Sequence, residues 1–236
     1  MGSPIRLCVV MPLFNEEESI QRTVTEWLEE LRSHADIRFD LLLIDDGSTD
    51  GSLHIIRELA ESNRELIVVS RANRGHGRSC LEGYSFAYDK GYDLVMQLDS
   101  DGQCDPGYFR SFLDAMNSDK YESVYGIRYY RKDGFLRYAI SRVLSVVAFI
   151  RTGIWVFDPN VPYRLFRSDT LSALINNQQN VNLYNVYLAL HHRKHTKVGY
   201  IPIVFRDRWG GSPSVKVGGL WKWGFEFWRE FGNLKV

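Results

Sequence analysis

The sequence predicts an α/β fold, a mostly parallel sheet with helices on both faces. Short β-branched apolar runs alternate with longer segments of helical periodicity. The 236 residues, 44% hydrophobic and 25% charged, suffice for one sizeable core and are few for two. Acidic and glycine-containing loops follow the apolar runs, and in such sheets ligands bind beyond the carboxyl ends of the strands.

The first strand is RLCVVM (6–11), and PLFNEEE leads from it into a helical period over 16–33. Asn15 reads as the N-cap there, with Glu16, Glu17 and Glu18 favourable to the dipole of the first turn. FDLLLI (39–44) is the second strand, and DDGSTDGS follows it, with Asp50 capping a helix over 51–62. ELIVVS (65–70) is the third, leading through RANRGHGRS into a helix over 76–90. Gly75-His76-Gly77 is not a GxGxxG; it suits a close-approach turn at a helix start, where backbone N–H groups meet phosphate. YDLVMQL (92–98) is the fourth strand and precedes DSDGQCDP, where Asp105 before Pro106 caps a helix over 106–117. YESVYGI (121–127) is the fifth.

Composition narrows the function. Cys8, Cys80 and Cys104 form no CxxC pair, which argues against a disulfide framework or zinc site and for a reducing compartment. MGSPIRLCVVMP has too short an apolar run before Pro12 for a signal peptide. The net charge of zero divides unevenly: residues 1–125 hold 23 acids and 12 bases, a charge of −11, and residues 126–236 hold 6 and 17, a charge of +11. One half suits cations and the other anions. His191, His192 and His195 read as a basic helix end rather than a metal site. No RNA-binding or helix-turn-helix signature points to a nucleic acid partner.

Two loops carry the chemistry. Asp45 and Asp46 precede Gly47 and Ser48, where short acids accept hydrogen bonds from ribose hydroxyls or a base N–H, or form an Asx-turn. In Asp99-Ser100-Asp101, carboxylates at i and i+2 on a strand end can reach one hard cation together, and such a cation bridges the phosphates of a leaving nucleotide. Gln103 offers a further neutral oxygen.

VVMPLFNEEESI, LLLIDDGSTDGS, NRGHGRSCLEGY and MQLDSDGQCDP together closely resemble the family 2 glycosyltransferases with the GT-A fold. GIRYYRKDGFLRYAIS, DPNVPYRLFRSDTL and IPIVFRDRWGGSPS resemble that family's dolichol-phosphate-mannose-synthase branch, the polyprenyl-phosphate glycosyltransferases. The resemblance runs from about Arg6 to Ser214. It implies that Pro12, Phe14, Glu16, Asp45 and Asp46 hold the nucleoside, with Asp99 and Ser100 against the rest of the donor. It implies Mg²⁺ or Mn²⁺ on Asp99, Asp101 and Gln103, and places Arg128, Arg137 and Arg208 at the donor and acceptor phosphates. Phe14 stands where Tyr is common, and GGSPSVKV replaces the branch's usual Gly-Glu-Ser-Lys.

The implied reaction is inverting transfer of a hexose from GDP-mannose or a UDP-sugar to a dolichyl or undecaprenyl phosphate, by a peripheral protein on the cytoplasmic face of the inner or ER membrane. Residues 1–127 form the donor half of one GT-A domain and residues 128–236 the acceptor half. From Gly126 to Arg151, six bases against one acid interleave with an apolar stripe, the pattern of an interfacial helix; an amphipathic helix packed on the sheet has the same pattern. It is too short for a membrane span. LWKWGFEFWREF poses the same choice between a headgroup belt and a closed core, and an oligomer or a transmembrane partner is compatible with either. A phosphate acceptor needs no general base; a saccharide hydroxyl would, and Asp158 is then the candidate, reading otherwise as a turn residue before Pro159. Arg208 follows YIPIVF, where a strand emits a Gly-rich loop that could fold over the site; a surface pair with Asp207 or Asp169 is the other reading. Two rivals stay open: a soluble family 2 transferase acting on a sugar hydroxyl, and a noncatalytic nucleotide-sugar-binding scaffold at the membrane.

Overall fold

The computed structural model describes residues 3–118, 120–130, 135–176 and 184–210. The chain runs β1 (Ile5–Leu13), α1 (Ile20–Arg32), β2 (Ile37–Asp45), α2 (Ser52–Ser62), β3 (Leu66–Ser70), α3 (His76–Asp89) and β4 (Leu94–Gln97). A 3-10 turn at Pro106–Tyr108 leads into α4 (Phe109–Asn117), then β5 (Ser123–Tyr130), α5 (Phe135–Thr152), β6 (Arg164–Arg167), α6 (Ser172–Asn176), α7 (Tyr184–His195) and β7 (Val198–Val204). LWKWGFEFWREF, the loop beyond Gly210 and the side chain of Arg137 lie outside the described residues.

Seven strands form one sheet in the order β3-β2-β1-β4-β6-β5-β7. Pairing is parallel except around β6, which is antiparallel to both β4 and β5. β1, β2, β3, β4, β5 and β7 therefore end at the same edge, and the loop entering β6 starts there too. This edge gathers chemistry from the whole length of the chain.

Alternation shows why β1 is an interior strand, between β2 and β4. Leu7, Val9, Met11 and Leu13 point into one core with Trp27 and Leu28 of α1 and Phe109 and Phe112 of α4. Cys8 and Val10 face the second core, with Cys80, Tyr84 and Ala87 of α3 and Tyr184, Tyr187 and Leu188 of α7. Both faces of the strand are dry, as a continuous Val/Leu-rich run requires.

Helix α1 starts four residues later than the expected 16–33. Asn15 has φ +55 and is not the cap; residues 16–19 form a turn in which the Glu16 C=O accepts from the Ile20 N–H. The cause is the neighbouring loop: Asn15 Oδ1 accepts from the Thr49 N–H at 2.8 Å, and the Glu16 N–H donates to Ser52 Oγ at 2.7 Å. Gly51, not Asp50, is the N-cap of α2; Asp50 stands one residue before it and accepts from the Ser52 N–H at 3.0 Å.

Helix α5 packs Leu144, Ser145 and Ala148 inward and leaves Val143, Val146, Phe149 and Ile150 exposed, Ile150 at 63%. It thus both packs on the fold and shows an apolar face to solvent. Among the described residues no helix is long and apolar enough to cross a membrane. His192 is a core residue, bonded to the Tyr125 hydroxyl at 2.9 Å and to Thr170 Oγ1 at 3.0 Å, and burial pushes its pKa well down.

Candidate active site

The loop after β2 is assembled by carboxylates. Gly47 takes φ +76, and a Cβ there would lie 2.8 Å from the Asn73 backbone nitrogen, so only glycine closes this turn. Asp45 accepts from the Ser48 N–H, three residues on, at 3.0 Å and from the Ser70 hydroxyl at 2.8 Å, one residue wider than the two-residue reach of an Asx-turn. Asp46 accepts from the Arg74 and Gly75 N–H groups at 2.9 and 2.8 Å and pairs with Arg71. Arg71 also holds Glu82 at 2.5 Å and Ser79 at 2.8 Å. The acid and its arginine together fix the 71–79 loop as one wall of a cleft.

That cleft, about 290 Å³, opens at the carboxyl edge of the sheet. Pro12 lines it from the end of β1 and Phe14 from just beyond, Asp46 and Asn73 from the next two loops, His76 from the start of α3, and Asp99, Ser100 and Asp101 from the loop after β4. Glu16 and Arg208 complete it. Asp45, Gln103, Arg128 and Asp158 are not among the residues lining the cleft.

The acidic loop is held from behind: the Ser100 C=O accepts from the Ser19 and Thr23 hydroxyls of the α1 turn, at 3.3 and 3.1 Å. Asp101 Oδ1 accepts from the Gln103 N–H at 3.1 Å. Asp99 Oδ1 is buried with no hydrogen-bond partner, and His76 Nε2 stands 3.8 Å from it. Burial, and then the Asp99 charge, push the Asp101 carboxyl up to about 6 although Arg208 pulls the other way. Burial likewise raises Glu16, against Arg208 and the Ser19 hydroxyl. Four carboxylates and one guanidinium line the cleft. Its electrostatics favour a cation.

Arg208 reaches into this cluster rather than pairing with Asp207 or Asp169. Its guanidinium bridges Glu16 and Asp101, the latter at 3.4 Å, and its Nε donates to the Gly210 C=O at 2.6 Å. The Gln103 amide donates to the Arg206 C=O at 3.3 Å. Arg128 and Asp158 form a bidentate pair, both bonds 2.7 Å, and the Asp158 C=O also closes the turn to Val161. Sequence spacing did not single out Arg71, Asn73 or Ser79. Arg71 had one local signal, an arginine directly between a strand and a glycine turn.

A family model for glycosyl transferase family 2 matches residues 8–175. The chain belongs to this family. Among curated relatives, an undecaprenyl-phosphate 4-deoxy-4-formamido-L-arabinose transferase from Edwardsiella ictaluri is 30% identical to this family 2 chain over 167 residues, 71% of it and 50% of the relative. The protein of the same name from Sodalis glossinidius is 28% identical over 224 residues, 92% of this chain and 66% of that one. The chain thus spans about half to two thirds of these relatives. Among solved structures, glucosyl-3-phosphoglycerate synthase from Mycobacterium tuberculosis with phosphoglyceric acid superposes with TM-score 0.72 at 18% identity, covering 97% of this chain and 80% of the other. The same enzyme with Mn²⁺, UDP-glucose and phosphoglyceric acid gives 0.72 at 16% identity, covering 99% and 81%. The family 2 chain has the GT-A fold expected from its sequence.

Proposed function

We propose that this chain transfers a hexose from a nucleotide sugar, GDP-mannose or a UDP-sugar, to a polyprenyl phosphate, dolichyl or undecaprenyl, with inversion at C1, at the cytoplasmic membrane face. The observation that carries the donor side is Asp99 Oδ1, a buried carboxylate oxygen without a hydrogen bond, beside Asp101 in a cleft rich in acids. Among the described residues no three His, Cys, Asp or Glu side chains form a ready-made metal cage. Two carboxylates suit Mg²⁺ or Mn²⁺ that shares its coordination with phosphates and water. Asp99 and Asp101 would hold the ion, with the Gln103 N–H orienting Asp101. When bound, it would neutralise charge on the departing nucleoside diphosphate.

The chain's own residues supply the rest. Pro12 and Phe14 offer the apolar mouth for the nucleoside, while Asp46 acts by ordering the wall beside it. Arg208, already across the cleft from the 71–79 loop, can exchange its carboxylate partners for phosphate oxygens. Residues 1–127 are the donor half in this reading, and 128–236 the acceptor half, with Arg128 and Arg137 as its basic positions.

A phosphate acceptor is favoured by the state of Asp158. Both its carboxylate oxygens are engaged by Arg128, so it is a poor general base for a sugar hydroxyl, whereas a phosphate, already anionic, attacks C1 without one. The names of the curated relatives point the same way. The test is a panel of GDP- and UDP-sugars with Mg²⁺ or Mn²⁺ and a polyprenyl phosphate, read by mass spectrometry. Arg208→Lys should keep the fold and lose at least about tenfold in rate, about 1.4 kcal/mol of transition-state stabilisation, because an ammonium cannot copy the bidentate fork. A wild-type rate in that variant would remove the phosphate role. Glycosylation of a free sugar, with the lipid phosphate ignored, would favour the soluble alternative; nucleotide-sugar binding without turnover on any acceptor would favour the scaffold.

The apolar face of α5 supports peripheral membrane contact. Expected is co-sedimentation with anionic vesicles at low salt. Replacing Val146, Phe149 and Ile150 with Ser should abolish it, and undiminished binding would mean that α5 is not the contact.

A further inference from the structure

The segment after β7 does more than carry Arg208. Gly102, the residue after Asp101, takes φ +79, and a Cβ built on it would lie 2.4 Å from Trp209 Cε3 and 2.5 Å from Cδ2. The indole therefore rests directly on the backbone of the acidic loop. The Trp209 backbone N–H donates to the Asp101 C=O at 3.3 Å, and the Arg22 guanidinium of α1 stands over the ring, 4.0 Å from its centroid. Three residues earlier in the same strap, Arg206 binds Glu26 of α1 and Asp105, both at 2.6 Å, and its N–H donates to the Gln103 C=O at 3.1 Å. The strap thus joins α1 to the 101–105 loop on either side of the carboxylates.

We propose that Trp209 is a positioning residue that clamps Gly102, so that Asp99 and Asp101 present their carboxylates together to a divalent cation. The inference rests on the metal-assisted reading above. Its logic is mechanical. A loop of two repelling carboxylates needs an external support, and the position beside Asp101 has no side chain of its own to supply one. A flat aromatic ring laid on a glycine in the left-handed region supports the backbone without occupying the cleft, since Trp209 is not among the residues lining it.

The test is Mn²⁺ binding to the purified chain, followed by electron paramagnetic resonance of the free ion, with Mn²⁺ as the probe and no substrate. Trp209→Ala should weaken binding at least about tenfold, Trp209→Phe should stay within about threefold of wild type, and Gly102→Ala should phenocopy Trp209→Ala by pushing the ring off the loop. In turnover assays the half-saturating Mn²⁺ should shift similarly while the rate at saturating Mn²⁺ is largely retained, a split that a general loss of folding would not give. Should Trp209→Ala fail to fold, Gly102→Ala decides by the same Mn²⁺ titration, with a loss of at least about tenfold supporting the clamp and wild-type binding overturning it. Folded Trp209→Ala and Gly102→Ala that bind Mn²⁺ as wild type does would overturn the inference and leave the metal reading standing. A wild type that binds no Mn²⁺ would remove both.

Discussion

Asp101→Asn should lower turnover by several orders of magnitude while leaving the fold intact. A loss of 10³ corresponds to about 4 kcal/mol of transition-state stabilisation, a reasonable cost for removing one of two anionic ligands from a diphosphate-binding ion. The same substitution should make the chain more heat-resistant in EDTA at pH 7.5. The Asp101 carboxyl is pushed from 3.8 up to about 6, so between about pH 4 and 6 the folded chain keeps a proton that the unfolded chain has released. Stability therefore falls as pH rises through that window and stays lower above it. Asn carries no such charge, so the variant's advantage should be a few degrees at pH 7.5 and vanish near pH 4. Mn²⁺ should raise the wild-type melting temperature and barely move the variant's. Full activity in the variant, or in wild type under excess EDTA, would sink the metal-assisted mechanism; identical melting at pH 7.5 would show that the carboxylate is not held against its charge.

Arg164→Met should destabilise the fold by several kcal/mol. Arg164 is fully buried on β6, beside Gln97 of β4 and Tyr125 of β5. Its guanidinium donates to the Val161 C=O at 2.6 Å, the Asn185 C=O at 2.8 Å and the Pro159 C=O at 3.1 Å, and lies 5.1 Å from the Tyr125 ring centroid. Met fills much of the volume but satisfies none of the three carbonyls. Each buried acceptor left unmet costs about 1–3 kcal/mol, so a total on the order of 3–5 kcal/mol is expected, lowering the melting temperature by roughly 10 °C. Lys keeps the charge and cannot fork to three acceptors, so it should recover only part of the loss. A melting temperature within about 2 °C of wild type for Met would mean that these carbonyls find other donors.

Much of the first half is legible in the sequence because its signals are local. Four apolar runs carry enough Val, Ile and Leu to be strands, β1 and β4 buried on both faces, β2 over its second half and the edge strand β3 only at Leu66, and the acid-rich loops follow them at the sheet edge. The second half is written in contacts across long separations. β6 has four residues and an arginine at each end, a pattern no strand rule selects, and it becomes a strand because β4 and β5 lie on either side of it. The start of α1 moved because Asn15 and Glu16 bond to Thr49 and Ser52, more than thirty residues away. Arg208 has acids nearer in sequence than those it binds, and Asp158 meets an arginine thirty residues earlier. Spacing along the chain cannot show which loops a parallel sheet brings to one edge.

The place of β6 in the sheet also has a bearing on synthesis. β5 is made well before either neighbour, since β6 lies about 35 residues further on and β7 about 70. At roughly 5–20 residues per second on a ribosome, both its hydrogen-bonding edges stay unmatched for several seconds. Strands β1 to β4, each with a partner among themselves, can close in that interval with α1 to α3 around them. Until β6 is made, β5 presents both of its hydrogen-bonding edges unpaired, the condition under which one strand can template pairing with another chain.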